Sequence, residues 1–303
     1  MAFSESQASN ILTVDVEDWF HILDLESSPN RDGWSDLDSR VLANTESLIE
    51  LFDGHQAKAT FFVVGWVAWK HPEVVRAIAD AGHEVACHSF WHELVPHHSR
   101  ESFRADVRAA RSLLQDLSGQ AVDGFRAPGW SIGPEQAWAF EELLEAGFRY
   151  DASLVPGKVS HGGYGHTIQK PHRIQCKAGE LLEIPTPTAR FGPWRVPYSG
   201  GGYLRFFPYS FIKRSAKRTL KQGGPLVIYV HPREIDPEQP RMKMPFKRRF
   251  KYYVGLNGTR DKLSKMLTAH SFTSISEWLE QAPDGNLESI DVRAESGTEP
   301  SPK

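Results

Sequence analysis

The stretch LTVDVEDWFH, residues 12–21, sets three carboxylates, Asp15, Glu17 and Asp18, within four positions directly after an apolar run. Ile11, Leu12, Val14 and Val16 read as a β-strand. Alternate side chains of a strand share a face, so Asp15 and Glu17 would point the same way. Asp18 follows at once, ahead of Trp19 and Phe20. Clustered acids repel one another and are costly to bury unless they are solvated or meet a cation. An ordinary acidic surface loop is the alternative, and the segments that follow decide between the two.

Outward from this strand, strand-like and helix-like segments alternate. VLANTESLIELFDGHQ places Val41, Leu42, Thr45, Leu48, Ile49 and Phe52 on helical spacing, and ATFFVVG (59–65) is a short strand closed by glycine. A helix starts at Pro72 and ends at Gly82, HEVACHS is the next strand, and an amphipathic helix covers about 99–117. GFRAP, a helix over about 134–146 and FRYDASL continue the series; PLVIYVHP resumes it, followed by a helix near 259–269, SFTSI and SEWLE. Repeated strand–helix units with short turns imply parallel strands. The chain reads as α/β, with a closed or nearly closed (β/α) barrel first and a doubly wound sheet second. Residues 1–10 are expected to be flexible, 11–281 to form a single domain with irregular rim loops or short antiparallel strands at 157–224, and 282–303 to be a disordered tail.

Composition narrows the partners. The 303 residues carry 35 basic and 38 acidic side chains, a net charge of −3, which gives no global attraction to nucleic acid. The segment RMKMPFKRRFKYY is basic, and reads as a solvated loop and helix start before it reads as a polyanion site. Cys87 and Cys176 match no CxxC spacing and suit a reducing compartment. The first ten residues lack the pattern of a secretory signal, and no apolar run has the eighteen or so residues of a membrane span. A cytoplasmic protein is therefore expected, without membrane insertion, with association with a membrane-bound polysaccharide assembly system as the alternative.

Ionisable residues recur at strand ends. His88 and His92 lie four apart after one strand; two imidazoles and one carboxylate from DVED would make a facial triad for a divalent ion, with open positions for water and substrate. Spacing of four puts both histidines on one side if the chain turns helically there. Arg126 follows the next strand, where a guanidinium would orient one of the acids. Asp151 with Ser153, and His231, follow two further strands. Strand C-terminal ends are where sites assemble in parallel α/β folds.

The ordered series TVDVED, HSFWH, RAPGW, DASLVP and IYVHP resembles the motif set of NodB-type polysaccharide deacetylases, carbohydrate esterase family four. The wider wording, including GHEVACHSFWHE, GGGYLR and YVHPREIDPEQPR, is similar to the subgroup associated with bacterial exopolysaccharide loci that carry exosortase systems. The resemblance covers about residues 11–280 and implies a distorted, incomplete (β/α) barrel. It implies metal-dependent removal of N-acetyl groups from amino sugars of an N-acetylated glycan, with Zn²⁺ as the first choice of metal and Co²⁺ or Ni²⁺ as alternatives. Asp15 takes the base position, Arg126 orients it, His231 is the acid, and His88 and His92 are metal ligands. The metal carboxylate is Glu17 if the strand stays regular and Asp18 if a bulge or turn follows Val16, with a slight preference for Asp18. Asp151 matches a pocket-lining acid. Trp19, Trp91 and Trp130 sit within two residues of these positions, where each would stack on a sugar or wall the pocket. The glycine-rich loops would form a lid, with Tyr164, Tyr203 and Arg205 as contacts. The rival readings are a metal-independent hydrolase of a small cyclic amide and a noncatalytic carbohydrate-binding protein.

Overall fold

The computed structural model describes residues 10–281 and 287–291, apart from 24, 26–27, 158–160, 163–167 and 193. The first half runs β1 (Asn10–Val16), α1 (Val41–Asp53), β2 (Thr60–Val63), α2 (Gly65–Lys70), α3 (Pro72–Asp80), β3 (Glu84–Cys87), α4 (Arg100–Ser118), β4 (Gly124–Phe125), α5 (Trp138–Glu145) and β5 (Tyr150–Asp151). The second half runs β6 (His172–Cys176), β7 (Gly179–Glu183), β8 (Thr188–Phe191), β9 (Trp194–Pro197), α6 (Gly201–Phe206), α7 (Tyr209–Lys221), β10 (Val227–Val230), α8 (Phe246–Tyr253), α9 (Thr259–Ala269), β11 (Phe272–Thr273), α10 (Ile275–Gln281) and β12 (Ser289–Asp291).

The strands join in the order β10-β1-β2-β3-β4-β5-β7-β6-β12, with β11 also on β1. Pairing is parallel from β10 to β7, and β6 returns antiparallel to β7. The path does not close, so the expected (β/α) barrel is an incomplete one. Every residue of β1 is buried, as a strand flanked on both edges and covered by helices must be. Local signals agree with the chain's turns: Ser99 and Ser102 cap α4 reciprocally, and Gly119 ends it at φ 68°.

Three sequence expectations change. The span 157–224 holds the expected antiparallel pairs β6–β7 and β8–β9, and also helices α6 and α7, which its Gly, Pro and aromatic content hides. The expected disordered tail contributes β12, which pairs with β6 from Ser289↔Arg173 to Asp291↔Gln175. The histidine segment after β3 is a loop and not a helical turn. Ser89 (φ 60°) and His92 (φ 54°) adopt left-handed conformations, which fold the chain back and bring the two imidazoles together. The loop is braced from within by His92 N–H donating to Ser89 Oγ at 2.9 Å. From outside, Asp106 of α4 accepts from the N–H of Phe90 and Trp91. Gly65 allows this loop to pack against α2, because a Cβ there would lie 2.7 Å from the Phe90 ring.

Candidate active site

Five parallel strands deliver the site at their C-terminal ends. On β1, Asp15 accepts from Arg126 Nη1 at 2.7 Å, and Thr13 Oγ1 accepts from the same nitrogen at 2.9 Å. Arg126 follows β4, is fully buried, and donates through Nε to the carbonyl of Ala152 after β5. Three groups thus fix one guanidinium, and through it one carboxylate oxygen.

After Val16 the Glu17 N–H turns back to the Asp15 carbonyl at 3.0 Å, which keeps Glu17 on the Asp15 side. Glu17 Oε1 lies 3.0 Å from His92 Nε2 and 3.5 Å from His88 Nε2. These three residues offer ligand atoms within 4.8 Å of one another. His88 Nδ1 donates to the Arg126 carbonyl at 2.7 Å, which leaves its Nε2 lone pair facing Glu17. A carboxylate and two imidazoles, all buried and with that tautomer set, fit a divalent cation of the zinc class.

Asp18, the favoured ligand from sequence, lies outside this group. Its carboxylate accepts from the Trp19 N–H at 2.8 Å, from Ser39 Oγ at 2.5 Å and from the Arg40 N–H. It braces the chain behind the site, while Glu17, the other carboxylate the sequence offered, lies beside His88 and His92.

His231 begins the turn after β10. Its Nε2 lies 3.5 Å from Glu17 and 3.8 Å from Asp15, and its Nδ1 is 3.1 Å from Glu234 Oε2. Burial disfavours the imidazolium, but the charges of Glu17 and Glu234 outweigh it and raise the His231 pKa. Glu234 is itself held at about 2: burial opposes ionisation, and the charges of His231 and Arg205 overcome it. Glu17 likewise sits well below the usual carboxylate range, with burial opposed by His92 and His231.

These groups line one cavity of about 340 Å³. Trp130 and Tyr203 line it; the Trp130 ring stands edge-on to Tyr229, 4.8 Å away. Arg205 also reaches the cavity wall, but it is 4% exposed and occupied with Glu234 at 2.8 Å and with the carbonyls of Lys251, Tyr252 and Val254. Those partners occupy most of its donors and make it a clamp between α6, Glu234 and the end of α8.

Asp151 and two of the tryptophans are not in the cavity. Asp151 accepts from Ser153 Oγ at 2.6 Å, and that hydroxyl accepts from the Ala127 N–H, so it steadies the chain beside Arg126. Trp19 is buried, with Nε1 on the Asp38 carbonyl, and Trp91 lies beneath Arg31 in a neighbouring groove. Tyr164 lies outside the described residues. Sequence reading passed over His21, which lines the cavity and accepts the Asp18 N–H at 2.9 Å. It also passed over Glu234, although HPRE places an acid three residues after the histidine, the spacing of a capping box.

Comparison with known proteins shows what the chain is similar to. The fold is shared with a Mycobacterium smegmatis structure provisionally described as a polysaccharide deacetylase (21% identity, 100% of this chain and 97% of that one, TM-score 0.59). It is shared too with Puue allantoinase (17%, 89% and 88%, TM-score 0.60). Residues 32–149 match the family model "Polysaccharide deacetylase", and residues 152–280 match "Domain of unknown function (DUF3473)". Residues 32–149 of the chain are thus similar to polysaccharide deacetylases. A peptidoglycan deacetylase of Helicobacter pylori is 33% identical over 108 residues, 36% of this chain and 36% of that protein. A chitooligosaccharide deacetylase of Bradyrhizobium sp. is 28% identical over 143 residues, 40% and 65%. The chain spans less than two thirds of the length of these curated relatives.

Proposed function

We propose that this protein hydrolyses the N-acetyl groups of amino sugars in a bacterial polysaccharide, as a step of exopolysaccharide biosynthesis on the cytoplasmic side or at a membrane-bound assembly system. The observation that carries the reading is a single cavity in which Glu17, His88 and His92 converge beside the Asp15–Arg126 pair and His231. The match of residues 32–149 to the polysaccharide deacetylase model supports it, as does the likeness of about two fifths of the chain to peptidoglycan and chitooligosaccharide deacetylases. The wording of the strand-end motifs supports the exopolysaccharide setting.

Glu17, His88 and His92 would hold a divalent cation, Zn²⁺ first, with Co²⁺ or Ni²⁺ as alternatives. When bound, such a cation supplies Lewis-acid polarisation of water and of the acyl oxygen. Asp15, fixed by Arg126, accepts the proton of the attacking water. His231, held at Nδ1 by Glu234, gives a proton from Nε2 to the departing amine, which would otherwise leave as an unstable amide anion. The products are acetate and the free amino sugar. Trp130, Tyr203 and Tyr229 form the wall against which a pyranose would lie.

The test is acetate release from N-acetylated chitooligosaccharides after chelation and after Zn²⁺ or Co²⁺ addition. Activity lost with chelator and restored by metal is expected. Turnover of a cyclic amide that chelation leaves untouched would instead favour the metal-independent alternative and end this reading.

A further inference from the structure

Five of the six exposed large hydrophobic side chains among the described residues gather on one rim: Phe191, Trp194, Phe206, Phe246 and Phe250, from 46% to 82% exposed. They form a continuous surface. The Phe250 ring lies 6.1 Å from Phe206, which lies 5.3 Å from buried Phe207; Phe207 lies 5.2 Å from Phe191, whose cross-strand partner is Trp194. Phe246 sits one turn before Phe250 on α8 and shares its face. Phe206 and Phe250 also line the cavity, so the rim borders its mouth.

The same region is strongly basic. Residues 190–253 hold fifteen Lys and Arg against three acids, in a chain whose net charge is −3. Of the three acids, Glu234 and Asp236 are buried in ion pairs with Arg205 and Arg40. The charge therefore shows at the surface, through Arg190 and Arg195 on the hairpin, Arg214 and Arg218 on α7, and Lys247 and Arg249 on α8.

We propose that this rim docks the protein on an anionic lipid bilayer, with the cavity mouth turned to a glycan carried at the membrane surface; the glycan clause rests on the deacetylase reading. Exposed rings of this size and number are costly in water and mark an interaction surface. A bilayer interface accommodates both features at once, with rings inserted below the headgroups and Lys and Arg at the anionic surface. A hydrated acidic polymer would meet the charge but leave Phe246, 82% exposed, and Trp194, 66% exposed, without an apolar partner. A second copy would bring like charge against like.

The test is flotation of the full chain with vesicles of phosphatidylcholine alone and of phosphatidylcholine with phosphatidylglycerol. Binding to the anionic vesicles only, weakened by salt, is expected. Phe246→Ser with Trp194→Ser should lower the bound fraction about tenfold, and Lys247→Glu with Arg249→Glu should remove the preference for anionic lipid. Both double variants should still release acetate from a soluble chitooligosaccharide. Failure of the parent protein to float with anionic vesicles would overturn the proposal. So would binding to soluble polygalacturonate that matches vesicle binding and ignores the serine changes, and so would a dimer in sedimentation that Phe246→Ser disperses. Flotation does not depend on turnover. A protein that floats and releases no acetate loses the deacetylase reading alone, and one that releases acetate and does not float loses the docking alone.

Discussion

Glu17 and Asp18 are neighbours in the chain, yet the turn between them sends one to His88 and His92 and the other to Ser39 and Arg40. Glu17→Ala should lose the bound divalent ion, whereas Asp18→Asn should keep it at full stoichiometry in elemental analysis; equal loss from both would refute the division. Asp15→Asn should retain metal and lose turnover by about 10² to 10⁴-fold, the range for removing a positioned base. Strand alternation put Asp15 and Glu17 on one side, and that much was legible in LTVDVED. The fate of Asp18 was not, because its partners lie 21 and 22 residues further along the chain. His83 gives a stability test away from the site. Burial, then the charge of Lys58, lowers its pKa to about 4. Unfolded, it titrates near 6.5, so above that pH both states are neutral and its effect is nil. As pH falls from about 6.5 towards 4 only the unfolded chain takes up the proton, and stability drops by roughly 2–3 kcal/mol. His83→Asn, whose Oδ1 can accept the Ala59 N–H that His83 Nδ1 now accepts, should flatten the urea-unfolding free energy over that window.

Among the elements, α8 has no buried side chain, yet it forms part of the cavity wall. What holds it is Arg205 at the end of α6, which donates to three carbonyls at the end of α8 and just beyond and pairs with buried Glu234. Arg205→Ala would leave buried Glu234 with His231 as its remaining ion-pair partner and the three carbonyls without their donor, and a loss of about 3–5 kcal/mol is expected in urea unfolding. Lysine should restore only part of it, since a single ammonium cannot span a carboxylate and three carbonyls. GGGYLR was conspicuous in the sequence, but its partners lie 29 to 49 residues further on, so it read as a flexible lid contact. Helix α7 was hidden differently. Ile212, Ala216 and Thr219 do keep helical spacing, but Gly- and Pro-rich flanks masked a thirteen-residue segment. Long periodic helices such as α1 and α4 were readable because their signal is local.

At the scale of the whole molecule, the two family matches divide the chain near residue 150, while the sheet runs across that division. β1 lies between β2 and β10, and β4 pairs with β5 and β5 with β7. The two halves expressed separately are therefore expected to be unfolded or insoluble, and the full chain to melt in one transition followed alike by circular dichroism and fluorescence. Two well-separated transitions would contradict a single folding unit. The succession of parallel strands was legible because each strand–helix unit is local; the place of β10 beside β1 was not. Thr13 of β1 bonds a carbonyl of β10 that lies 215 residues on. At about 5–20 residues per second of synthesis, β1 waits on the order of 10–40 s for that neighbour, with one edge bare. The nascent chain must shield that edge in the interval, and His231, arriving with β10, is the last of the reactive groups to reach its post.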